Sequence, residues 1–117
     1  MANEVTGVVQ FRCLNGGFDT GQISTSLGIT QSAQGAAMGT VVPATTGTAL
    51  PTSGVTTYGL LYLKNLDGSI NVTFGSTLYE FTLRLNEPFF GRPTASALLF
   101  LKAASGAPKV QYIFLND

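Results

Sequence analysis

Apolar and polar positions alternate most sharply at residues 79 to 85. Tyr79, Phe81, Leu83 and Leu85 are interleaved with Glu80, Thr82 and Arg84, the period-two pattern of a strand with one face in a core and one in water. Apolar runs at Thr57 to Lys64, Ala97 to Lys102 and Val110 to Leu115 read as further strands. The first run stops at Asn65-Leu66-Asp67-Gly68, where Asp-Gly suits a tight turn and predicts a hairpin into Ile70 to Phe74. Asn86-Glu87-Pro88 with Gly91-Arg92-Pro93 marks a loop, and Ser105-Gly106-Ala107-Pro108 marks a turn. Helical periodicity never persists beyond about two turns. Short strands separated by turn signals predict an all-β fold, an antiparallel β-sandwich or small barrel. Its expected core draws on Leu61, Leu63, Phe81, Leu83, Leu99, Leu101, Tyr112 and Phe114.

The N-terminal half has a different texture. Val5 to Leu14 reads as one strand, with Val5, Gly7, Val9, Phe11 and Cys13 on one side and Thr6, Val8, Gln10, Arg12 and Leu14 on the other. Residues 20–27 have the polar, β-branched look of a half-exposed strand. Residues 31–53 show no regular pattern, because Gly35, Gly39, Pro43, Gly47 and Pro51 interrupt any element. This stretch is expected to be an extended Gly/Thr/Ala-rich loop or arm within one β domain spanning residues 1–117. Its apolar side chains, Met38, Val41, Val42 and Leu50, are expected to become ordered only against a neighbouring chain.

Charge sharpens this picture. The 117-residue chain has six basic and six acidic residues, 10% of the total, against about 25% in a typical soluble domain. The formal net charge is +0, so little self-repulsion opposes association. The basic residues Arg12, Lys64, Arg84, Arg92, Lys102 and Lys109 are dispersed, which argues against a nucleic-acid surface. No run approaches the ~20 apolar residues of a membrane-spanning helix. The opening Met1-Ala2-Asn3-Glu4 lacks the basic and apolar regions of a secretory leader. The single cysteine, Cys13, is expected to be a small buried hydrophobe.

Candidate chemistry is sparse. The chain has no histidine, which removes Ser-His-Asp and Cys-His arrangements and the usual zinc sites. Glu80, Glu87, Asp19 and Asp67 could form a carboxylate pair of the glycosidase kind, but Glu80 alternates outward from a strand and Asp67 belongs to a turn. The glycines form no phosphate-cradling motif. Neither cofactor nor metal is expected, and no enzymatic activity. Phe89-Phe90, adjacent aromatics between Pro88 and Pro93, cannot easily both enter one core. Either one anchors a partner chain or the loop folds its aromatics back. The expected partner contacts are therefore Met38, Val41, Val42, Leu50, Phe89 and Phe90.

One ordered set of features remains: Gly59 to Asp67 as an apolar-aromatic strand ending in Asn-x-Asp, Asn71 to Gly75, Phe81 to Leu85, Glu87-Pro88, and Val110 to Leu115 with Tyr112 near its middle. In this order they resemble small structural proteins of tailed-bacteriophage heads and tails, over about half of the chain. The resemblance implies a virion part made in the host cytoplasm. It would be a capsid decoration or cement protein, or a small tail or connector component. Its implied partners are its own copies, as a homotrimer, and a major capsid or other virion protein. A carbohydrate-binding β-sandwich module, with Tyr and Phe rings stacking on sugars, is the competing class.

Overall fold

The computed structural model describes residues 4–32, 34–94 and 98–117. Every regular element among them is a strand, and the sheets are antiparallel. Contacts divide the chain into two units, residues 1–32 and 33–117.

The first unit is a two-stranded ribbon. Strand β1 (Val5–Phe11) pairs with β4 (Ile23–Ile29), and the ribbon continues through β2 (Leu14–Asn15) and β3 (Phe18–Asp19). Asn15 opposite Phe18 leaves Gly16-Gly17 as a two-residue turn. Gly16 has φ +58, the left-handed geometry that matches such a turn to strand twist. Between the Phe11–Ile23 and Leu14–Asp19 pairs the returning strand holds one residue more than the outgoing one. That is a bulge, and Gly21 within it has φ +76. Cys13, expected to be buried, is exposed.

The second unit has eight strands: β5 (Ala36–Val41), β6 (Thr48–Ala49), β7 (Tyr58–Asn65), β8 (Val72–Gly75), β9 (Phe81–Leu83), β10 (Pro88–Gly91), β11 (Phe100–Ala103) and β12 (Val110–Asn116). They form two sheets, β10-β7-β12-β5 and β6-β11-β8-β9. Pairing is nested: first strand with last, second with seventh, third with sixth, fourth with fifth. A long hairpin rolled in this way is a jelly roll. The predicted sandwich is thus present, with open sheet edges and no barrel closure. Leu61, Leu63, Val110 and Phe114 from one sheet meet Val72, Phe74, Leu83 and Leu101 from the other, all at most 2% exposed. Leu99 and Tyr112 pack against this core half-buried.

Four expectations need correction. The first is Phe81, which is 49% exposed. Tyr79 takes a positive φ of 50 and donates its N–H to the Ser76 carbonyl at 3.1 Å. That turn breaks the alternation, leaving Phe81 at the start of a three-residue edge strand with only Leu83 enclosed. Its ring still meets Phe74 and Phe89, at 6.0 and 5.1 Å between centroids.

The second correction is the hairpin expected at Asp67-Gly68. Strands β7 and β8 lie in different sheets, so residues 66–71 arch from one layer to the other. Gly68 is not among the glycines with positive φ. The arch is held by side chains: Asn65 Nδ2 donates to the carbonyls of Ile70 and Leu83 at 2.8 and 3.1 Å, and Asn65 Oδ1 accepts the Asp67 N–H at 3.0 Å. Asp67 Oδ1 in turn accepts the N–H groups of Ser69 and Ile70 at 2.8 and 2.9 Å, an Asx-type turn.

The third is residues 31–53, which contain β5 and β6, with Ala37, Pro43 and Leu50 buried. Pairing with β12 and β11 supplies the order that side-chain periodicity did not signal. Ala33 of this stretch and Ala97 of the expected 97–102 strand lie outside the described residues. The fourth is the loop at 86–93, of which residues 88–91 are edge strand β10, paired with β7.

Candidate protein-contact surfaces

The ribbon is amphipathic. In the β1–β4 register, Val5 faces Ile29, Gly7 faces Leu27, Val9 faces Thr25 and Phe11 faces Ile23. Opposed residues share a face, so one side carries Val5, Val9, Phe11, Ile23, Leu27 and Ile29. The other carries Thr6, Val8, Gln10, Ser24 and Ser26. Val9, Phe11 and Ile23 are 46%, 60% and 55% exposed, and Leu14 and Phe18 near the turn are more exposed still. An isolated two-stranded ribbon is marginal in water.

Charge on the ribbon strands is confined to one pair near the turn. Arg12 donates to both Asp19 carboxylate oxygens, at 3.1 and 2.8 Å. This guanidinium, together with the Gly21 N–H, holds the Asp19 pKa below its ordinary value.

In the jelly roll, strand register assembles an outward-facing row. Met38 of β5 lies opposite Ile113 of β12, Ile113 opposite Tyr62 of β7, and Tyr62 opposite Phe90 of β10. Neighbours in sequence, Ala37, Phe114, Leu61 and Leu63, point into the core, which leaves this row on the outer face. Met38 and Phe90 are exposed, while Ile113 and Tyr62 are half-buried. One step along the strands lie Thr40, Gln111, Lys64 and Pro88, a polar flank.

The six contact residues expected from the sequence therefore separate. Met38 and Phe90 share the outer row, and Val42, just beyond β5, is exposed. Val41 and Phe89 pack half-buried against the core, Phe89 touching Phe74 and Phe81. Leu50 is buried at 4% exposure, so it is a core residue and presents nothing to a partner. Sequence reasoning missed Tyr62 and Ile113 as surface groups because each sits in a run of uniformly apolar residues.

The acids are occupied locally. Glu80 accepts from the Ser76 hydroxyl and, at 2.9 Å, from the Ser76 N–H. These bonds, the hydroxyl's first, lower its pKa together with its own backbone N–H. Asp67 is lowered by the Ser69 and Ile70 N–H groups. Among the described residues, no three His, Cys, Asp or Glu side chains gather as a metal site would require. A cleft of about 420 Å³ lined by Leu61, Phe74, Phe81, Phe89 and Leu99, together with Glu80 and Arg92, is mostly apolar. Comparison with protein families, curated proteins and solved structures gave no match.

Proposed function

We propose that the protein is a non-enzymatic structural subunit of a phage particle, a decoration or cement protein that grips neighbouring capsid subunits with its N-terminal ribbon. The observation that carries this reading is the exposure of apolar side chains on one face of the ribbon. Val9, Phe11 and Ile23 stay 46–60% exposed on an element too thin to bury them, so a neighbouring surface has to complete it. Scarce charge, a net charge of zero and the order of strand features described above support the same reading.

The test is reconstitution. Purified particles are expected to contain the chain in fixed ratio to the major capsid protein, and particles stripped of it are expected to rebind it. Replacing Val9, Phe11 and Ile23 together by Ser is expected to abolish rebinding without moving the unfolding midpoint of the jelly roll. Absence from particles, or rebinding by the triple variant at unchanged strength, refutes the proposal.

A carbohydrate-binding module is the second reading, favoured by one observation: Tyr62 and Phe90 sit side by side on the outer face next to the polar flank of Gln111, Lys64 and Thr40. Glycan binding lost on Tyr62→Ala would favour this reading.

A further inference from the structure

We propose that the free edge of β5 is a self-association surface. On it, two copies of the chain pair antiparallel about a two-fold axis at Met38, joining two β10-β7-β12-β5 sheets into one of eight strands. This goes beyond the ribbon's role, and it uses only residues of the jelly roll.

The four sheet edges are treated differently. Strand β6 is two residues long, and β9 is three residues long between Glu80 and Arg84. Strand β10 opens with Pro88 and ends after four residues. Shortness, flanking charge and proline are the usual ways of keeping an edge from pairing. Strand β5 uses none of them. It runs six residues as Ala-Ala-Met-Gly-Thr-Val in unbroken register with β12. The nearest charged residues in sequence are Asp19 and Lys64.

The hydrogen-bond phase selects the axis. The Asn116 N–H donates to the Gly35 carbonyl at 2.9 Å, which makes this a hydrogen-bonded pair. Alternation along an antiparallel ladder then makes Ala37, Gly39 and Val41 bond to β12. It turns the N–H and C=O groups of Ala36, Met38 and Thr40 to the free side. Those three residues are symmetric about Met38. Antiparallel pairing there sets Met38 against the partner's Met38, and Ala36, whose carbonyl oxygen has Gly54 of its own chain beside it, against the partner's Thr40.

Side chains agree with this register. Met38, 67% exposed, would cover its symmetry equivalent. The outer row Met38, Ile113, Tyr62 and Phe90 would continue into the partner's as one apolar band. On the inner side Ala37 would face the partner's Gly39, which has no side chain of its own and is overlain by the Tyr112 ring, whose hydroxyl is 3.4 Å from where a Cβ would stand. A two-fold interface brings every surface against itself, so a charge on the axis would repel its own copy. The absence of charge along this edge is what an identical partner needs. The symmetry is two-fold, in contrast to the trimer implied by the sequence resemblance.

Sedimentation of the full chain at micromolar concentration is expected to show a monomer–dimer equilibrium. Met38→Lys is expected to weaken it at least tenfold with an unchanged circular dichroism spectrum. A second pair of variants does not depend on that substitution being tolerated. Directly opposed residues in a hydrogen-bonded pair are about 5.5 Å apart at Cα, within disulfide reach. Cys13→Ser/Met38→Cys is therefore expected to oxidise to a covalent dimer, and Cys13→Ser/Val42→Cys, off the axis on the same edge, is not. A monomer at all concentrations, a trimer, a dimer indifferent to Met38→Lys, or equal cross-linking at 38 and 42 overturns the proposal.

Discussion

Asn65 is fully buried and joins three separate pieces of chain: its own strand β7, the arch through Ile70 and Asp67, and β9 through the Leu83 carbonyl. Asn65→Ala removes the donor from two carbonyls and the acceptor from the Asp67 N–H. A buried group left without its partner costs about 1 to 3 kcal/mol. Leu83 is 2% exposed, so its carbonyl bears the full cost, whereas Ile70 and Asp67 are half-buried and water can partly replace Asn65. The expected loss is about 3 to 5 kcal/mol, a large part of the roughly 4 to 13 kcal/mol that residues 33–117 would have at ordinary stability per residue.

Asn65→Asp is the sharper variant. One carboxylate oxygen can still accept from Asp67, but the other would face the Ile70 and Leu83 carbonyls with no proton between them. Burial and these acceptors favour the protonated acid, which raises the folded-state pKa above the unfolded value. By linkage, the carboxyl is best tolerated at low pH, and stability is lost as pH rises through the folded value. Urea titrations of the full chain followed by far-ultraviolet circular dichroism at pH 7 and below pH 4 would read both effects. If Asn65→Ala costs under 1 kcal/mol, or Asn65→Asp matches the parent at pH 7, the arch is not held as described.

Other substitutions test other parts of the fold. Phe114→Ala, at a fully buried position, is expected to cost about 3 to 5 kcal/mol. Phe81→Ala, half-exposed with ring contacts to Phe74 and Phe89, is expected to cost about 1 to 2 kcal/mol, and equal losses in denaturant titrations would place Phe81 in the core after all. Gly35→Ala is expected to destabilise by about 1 to 3 kcal/mol, because Gly35 has φ +128 and a Cβ there would meet the Gly54 carbonyl oxygen at 2.9 Å. Because Asp67 has a lowered folded pKa, its contribution is present above the ordinary carboxylate range and lost as pH falls through the folded value. Asp67→Asn is therefore expected to flatten the acid limb of the stability–pH curve.

Strand existence was legible where side chains carried the information, and sheet membership was not. The runs that became β7, β11 and β12 announced themselves by apolar residues, and their buried members, Leu61, Leu63, Leu101 and Phe114, were identifiable. Whether Asn65-Leu66-Asp67-Gly68 returns the chain beside itself or carries it to the opposite layer depends on what the side chain of Asn65 bonds to. Two of its three partners, Ile70 and Leu83, lie five and eighteen residues away. A local turn motif contains none of that. Strand β5 was illegible for the opposite reason: Ala36, Ala37 and Gly39 have too little side chain to show a period, and the strand exists because β12 offers a ladder.

The contact surfaces follow the same division. Alternation along Val5 to Phe11 already separated the two faces of β1, and what the sequence lacked was the identity of the facing strand. Once Ile23, Leu27 and Ile29 are set opposite, a modest alternation becomes a continuous apolar side. In the jelly roll the decisive information is register. Met38, Tyr62, Phe90 and Ile113 come from four strands separated by up to 75 positions, and each had a local explanation: a flexible segment, a buried strand, a loop, a C-terminal strand. A one-residue slip of any strand would reverse the direction of its side chains, so the outer row is as well specified as the core, whose residues alternate with it. Burial of Leu61, Leu63 and Phe114 is therefore what obliges Tyr62 and Ile113 to face outward. The surface a partner would meet is in this sense dictated by the core, because Ala37, Leu61, Leu63 and Phe114, in packing inward, commit Met38, Tyr62 and Ile113 to the outer face.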